Sequence, residues 1–69
     1  MMIEVDARGL SCPEPVLLTL DALKEAAGET VVSIVSDTNQ RDNVKTQAER
    51  KGKTVTVEQK GQDWYLTIS

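Results

Sequence analysis

Cys12 is the single cysteine of a 69-residue chain that contains no histidine. It stands in the run Gly9-Leu10-Ser11-Cys12-Pro13-Glu14-Pro15, directly before a proline and a stretch of helix-forming residues. Proline is favoured at the first position of a helix, where its missing N–H would have no intrahelical partner in any case. The spacing therefore predicts Cys12 at or beside a helix N-cap, where unpaired N–H groups and the helix dipole favour an anion. A thiol held there tends toward the thiolate, the reactive form of cysteine. Gly9 permits the turn that exposes it, and Pro13 and Pro15 shape the loop and the helix start.

The remaining composition narrows what such a sulfur can do. Acyl transfer by a cysteine needs a neighbouring base, usually histidine, and the chain has none. A dithiol redox pair needs a second cysteine. Ligands for a metal site are missing, as is a glycine-rich phosphate loop with its lysine. No metal and no cofactor are expected. What is left is chemistry that needs one sulfur and no partner base, and carrying a sulfur atom as a persulfide is such a task. A second reading stays open: a lone cysteine is often a small buried hydrophobe, here a structural cap in a non-catalytic regulatory or protein-interaction domain. Carriage of selenium on the same side chain is a third.

Acids and bases near the sulfur pull in opposite directions. A carboxylate at Glu14 would raise the thiol pKa and oppose the dipole, and Arg8 and Arg41 could offset it. Glu14 could equally serve the helix start as a first-turn acid, and Arg8 could pair with Asp6 as a surface bridge worth little.

The elements that must position these groups follow from periodicity. Residues 3–6 alternate as a short strand, and 7–11 form a turn. A helix is predicted over 13–27, with Val16, Leu20, Leu23 and Ala27 as its core stripe, Leu17 at the edge and Gly28 as the stop. Leu18 falls off that stripe, one turn beyond the cysteine, as an exposed residue and a candidate partner contact. The β-branched run at 30–36 reads as an interior strand. Asp37, Thr38 and Asn39 form a turn rich in capping residues. A second helix is expected over 40–51, with a thin face of Val44 and Ala48 helped by the stems of Gln47 and Lys51. Strands at 54–58 and 64–68, joined through Lys60-Gly61, make a hairpin, with Trp64, Leu66 and Ile68 on one face.

The order β-α-β-α-β-β implies right-handed crossovers that put both helices on one side. The expected fold is thus an α/β (α+β) two-layer sandwich, a four-stranded mixed sheet with two helices on one face. Function in such sheets gathers at the carboxyl ends of the parallel strands, so Asp37, Thr38, Asn39 and Arg41 are the expected neighbours of Cys12.

Charge and length set further bounds. Eight basic against eleven acidic residues give a net charge of −3, which argues against a nucleic-acid footprint. No apolar run is long enough to span a membrane. Residues 1–5 lack the basic start of a signal peptide and carry an early acid. A free cysteine without an export signal fits the reducing cytoplasm. The length suits one domain, 1–69, which buries only roughly 60% of its unfolded surface. The strand at its end would suit the N-terminal domain of a longer protein.

The segment from Val5 to Val16, with its Gly-Leu-x-Cys-Pro-x-Pro core at Gly9–Pro15, resembles the signature of the TusA family of small sulfur carriers, also called SirA-like or YedF-like. The resemblance extends over nearly the whole chain. It implies sheet order 1-2-4-3 with an antiparallel fourth strand, which places the Trp64 strand in the interior. It also implies that Cys12 accepts sulfane sulfur from a donor such as a cysteine desulfurase and relays it to an acceptor protein. The partners would be proteins, with no direct nucleic acid and no membrane, and the carrier a monomer that turns over only with them. In different branches the sulfur serves tRNA thiolation, cofactor assembly or sulfur oxidation. Asp42-Asn43-Val44, Ala48 and Gly52 look more like the YedF-like branch than the tRNA-thiolation branch.

Overall fold

The β-branched run in the middle of the chain becomes the hub of the sheet. In the computed structural model, which describes residues 2–11, 13–25 and 28–69, β2 (Thr30–Val35) lies between two partners. β1 (Met2–Asp6) pairs with it in parallel and β4 (Asp63–Ile68) antiparallel, while β3 (Val55–Lys60) pairs antiparallel with β4. The order β1-β2-β4-β3 is the one the family resemblance implies, and β4 is interior.

Helices α1 (Glu14–Glu25) and α2 (Thr38–Arg50) complete the β-α-β-α-β-β order. Both contribute to a single core: Leu23 of α1 and Val44 and Ala48 of α2 pack with Val31, Val35, Leu66 and Ile68 of the sheet and with Ala7 just after β1. Both helices therefore cover one face, as two right-handed crossovers running in the same direction across the sheet require. On the opposite face Val32 and Ile34 are also buried. Their cross-strand neighbours, Glu4 and Thr67 for Val32 and Asp6 and Tyr65 for Ile34, flank them on both sides.

The core stripe of α1 differs from the one periodicity predicts. Its buried residues are Pro15, Thr19 and Leu23. Val16 and Leu20 are only partly buried, and Leu17 is 54% exposed; Ala27 lies outside the described residues. The reason is a hydrogen-bonded pair in the core. The Thr19 hydroxyl donates to the Pro15 carbonyl at 2.8 Å and lies 2.9 Å from the Ser33 hydroxyl. Its one proton is then used, so Ser33 donates to Thr19. A satisfied polar pair can occupy the centre of an apolar interface, and hydropathy does not anticipate that.

The other departures are boundary shifts with local causes. α2 starts at Thr38 because Asp37 is its N-cap, with Oδ1 accepting from the Gln40 N–H at 2.8 Å. The expected Asp37–Asn39 turn is thus a cap followed by the first helical turn. The buried face of α2 is Gln40, Val44 and Ala48, and Lys51 is exposed instead of covering it. β2 stops at Val35, before Ser36. The hairpin turn is Gly61-Gln62, because Lys60 still pairs with Asp63. Gly61 at φ +64 takes the first central position of a two-residue turn, where a positive φ matches the strand twist. Leu66 and Ile68 are fully buried, whereas Trp64 sits at the rim of the core, packed against it but only partly covered. No described helix is long and apolar enough to cross a membrane.

Candidate functional site

The loop that leaves β1 and the start of α2 meet at the carboxyl edge of β1 and β2. Ala7 prolongs the β1–β2 ladder by donating its N–H to the Ile34 carbonyl at 2.9 Å. The chain then turns: the Leu10 N–H reaches the Ala7 carbonyl at 3.3 Å, and Gly9 takes φ +78, a conformation that side-chain-bearing residues adopt at a penalty. The Gly9 N–H donates to Ser36 Oγ at 3.1 Å. That bond ties the β1–α1 loop to the β2–α2 connection, so the two loops expected to form the site are in contact.

α1 is entered through backbone bonds around its two prolines. The Glu14 N–H donates to the Ser11 carbonyl at 3.0 Å, and the Leu17 N–H to the Pro13 carbonyl at 3.0 Å. Pro15 is buried and presents its carbonyl to Thr19, so it anchors the first turn to the core as well as shaping the backbone. Pro13 and Glu14 are exposed. Cys12 lies outside the described residues. The groups around it that are described define the edge at which it is expected.

Arg8 is engaged elsewhere. Its guanidinium donates to both carboxylate oxygens of Asp6, at 2.9 and 2.7 Å, and reaches Asp63 at 3.4 Å; its own N–H also donates to Asp6. The side-chain hydrogen bonds from Arg8, followed by the backbone one, hold the Asp6 carboxyl down at about 2. Asp6 in turn, and then Asp63, push the Arg8 pKa up. The trio straps the end of β1 to the start of β4 across Ile34, and both ends of the strap are at the site edge. The surface bridge to Asp6 is the pairing expected from sequence. The second acid, Asp63, is not visible there, because the β4 register that brings it to Asp6 is a property of the sheet.

Arg41 also has partners. Its guanidinium carbon lies 4.4 Å from the centre of the Trp64 ring, and its Nη2 is 2.9 Å from Asp42 Oδ1. Cation–π contact of this kind favours a fixed guanidinium plane. The pairing joins α2 to the β4 end of the site edge, since Trp64 is in register with Val35. Asp37 is committed to capping, and Thr38 and Asn39 are exposed first-turn residues of α2. The buried Gln40 side chain leaves its Oε1 without a partner among the described residues.

The outer face of α1 adds an apolar element. Leu18 is 42% exposed, as expected, and Leu17 beside it is more exposed still. Leu17, expected at the edge of the core stripe, instead belongs to this exposed face. Among the described residues no group of three or more His, Cys, Asp or Glu could hold a metal ion. The arrangement supplies two helix starts, a tethered loop, two arginines with fixed partners and two exposed leucines.

Comparison with known proteins bears on this edge. A protein-family model described as Sulfurtransferase TusA matches residues 3–69. Among solved structures the chain is similar to a crystal structure of a SirA-like protein from Desulfitobacterium hafniense. The identity is 30% and the TM-score 0.90, covering 99% of this chain and 95% of that one. No curated protein matches the chain.

Proposed function

The chain belongs to the TusA sulfurtransferase family, and from that premise we propose that it carries sulfur as a persulfide on Cys12. The observation that carries the reading is the chain's one cysteine within the sequence segment Gly9–Pro15, whose residue Gly9 ties the β1–α1 loop to Ser36. The Cys12 thiolate attacks the outer, sulfane sulfur of a donor persulfide. A new S–S bond forms on Cys12, the donor's S–S bond breaks, and the donor sulfur leaves as a thiolate. In the second transfer an acceptor nucleophile attacks the outer sulfur on Cys12, and the Cys12 thiolate is the leaving group. Electrons balance in both steps with no external oxidant, and neither step needs a base from this chain.

The donor in this reading is a cysteine desulfurase and the acceptor a second sulfur-transfer protein, with the carrier a cytoplasmic monomer. Family membership supports protein partners of this kind in general. Exposed Leu17 and Leu18, close in sequence to Cys12, offer them an apolar contact, and Glu14 an acidic one. Asp42-Asn43-Val44 with Ala48 and Gly52 supports the YedF-like branch. Gly9, Pro13 and Pro15 position the loop.

Intact-mass spectrometry tests the proposal. After incubation with a cysteine desulfurase and L-cysteine the protein should gain the mass of one sulfur atom, and Cys12→Ser should gain none. Equal gain by the variant, or no gain by the wild type, would overturn it. A well-folded Cys12→Ala that retains partner binding and cellular function would favour a regulatory domain instead.

A further inference from the structure

Two turns and more along α1 from Pro13, the last turns of α1 and the segment that leaves α2 border an open cleft of about 340 Å³ lined by Leu20, Asp21, Leu23, Lys24, Lys51 and Lys53. We propose that this cleft binds a small organic anion, a carboxylate or phosphate head on a short aliphatic tail, at a site separate from the Gly9–Pro15 edge.

Three observations point to that chemistry. First, the volume lies in the range of small-molecule sites, and the two leucines give it an apolar lining, with Leu23 buried and Leu20 partly so. Second, three lysines face one aspartate around it, in a chain whose net charge is −3. The molecule thus gathers positive charge at one cleft against its overall sign. None of the three lysines forms an ion pair with another described residue, although Arg8, Arg41 and Lys60 all do. Their mutual repulsion is left for an outside anion to offset. Third, the ends of the two helices bring all three lysines to the same cleft. Cations are favoured in the last turn of a helix, which accounts for Lys24 in α1 and for Lys51 at the C-cap of α2. Lys53 lies beyond α2 and is partly buried. Its backbone N–H donates to the Ala48 carbonyl at 3.2 Å and the Gly52 N–H to the Glu49 carbonyl at 3.0 Å, so the bonds that close the end of α2 also fix the Lys53 backbone beside the cleft.

The experiment is a titration of the ¹⁵N-labelled full chain, followed by backbone amide shifts. Hexyl phosphate and hexanoate are the probes, with inorganic phosphate and hexanol as head-only and tail-only controls. Both alkyl anions should give saturable shifts centred on residues 20–24 and 51–53, and each control should bind about tenfold more weakly or worse. The variant K24Q/K51Q/K53Q should lose about tenfold or more in affinity, the equivalent of at least one charge-assisted contact, with its denaturant midpoint and Cys12 sulfur loading unchanged. The proposal fails if no shift saturates, if inorganic phosphate binds as tightly as hexyl phosphate, or if the triple variant binds like the wild type. It fails equally if vesicles of anionic phospholipid retain the protein while hexyl phosphate does not shift it, because the recognised surface would then be a membrane.

Discussion

α1 and α2 begin at the same edge of the sheet but are started by different means. α2 carries its own anion: Asp37 sits at the N-cap and accepts the Gln40 N–H, so the favourable position at that helix start is filled from within the chain. α1 is entered through Pro13 and Pro15, two residues with no N–H to offer, and its Glu14 N–H is used by the Ser11 carbonyl. Their outer faces differ in the same sense. α1 exposes Leu17 and Leu18, whereas every exposed residue of α2 is polar or charged. One helix is finished as a support. The other is held in place by proline and by the Thr19–Ser33 pair, and the proposed function assigns its start and outer face to partner proteins.

The largest effect should come from removing the sulfur. Cys12→Ala should abolish loading as read by intact mass, while Asp37→Ala should leave it unchanged. If the Asp37 variant stays folded and stops loading, the division between a supporting and a reactive helix collapses. Next, Trp64→Ala should destabilise the protein by about 2–3 kcal/mol in a denaturant melt. That is below the ~3–5 kcal/mol of a fully buried Trp, because the ring is only partly covered, and it would also strip Arg41 of α2 from its stacking partner. A loss near zero would show that α2 does not depend on that contact.

Thr19→Val tests how α1 is held. It leaves the buried Ser33 hydroxyl without a partner and should cost about 1–3 kcal/mol, whereas the double variant T19V/S33A should recover part of the loss. No recovery would mean that the pair is not acting as a unit. Asp37→Ala should cost about 1 kcal/mol through α2 alone. The smallest effect concerns the strap over the loop into α1. The folded pKa of Asp6, about 2, is below its ordinary value of 3.8. Its stabilising share is therefore present above pH 3.8 and is lost as the pH falls through about 2. Asp6→Asn should flatten the stability profile in that window; an unchanged profile would show that the Arg8 strap contributes nothing.

How much of this is legible in sequence varies with the range of the interaction. Alternation marks β1, β3 and β4, and the β-branched Val31–Val35 run marks the interior strand β2, because burial on two faces leaves no polar period. Asp37, Thr38 and Asn39 read together as capping residues, since capping is local chemistry, but which of them is the cap depends on where the helix starts: α2 begins at Thr38, before the expected Gln40, and makes Asp37 the N-cap. Errors arose where partners are distant. The α1 stripe was assigned to Val16 and Leu20 because Thr19 looks polar until Ser33 is opposite it. Leu17 looked like core for the same reason. The Arg8–Asp63 and Arg41–Trp64 contacts span the chain and have no local signal.

The sequence by itself determined the element order, the single thiol and the absence of any histidine, and with these the kind of chemistry that Cys12 is suited to. Such features depend on residue type and on spacing of a few positions. Only the tertiary structure decided the distant partners of the two arginines, Asp63 and Trp64, that the two site loops are joined through Gly9 and Ser36, which face of α1 is buried, and that Lys24 shares one cleft with Lys51 and Lys53. Each of these depends on the pairing of β2 with β1 and β4 and on two helices packed on one face, and such pairings bring together residues that no local pattern connects.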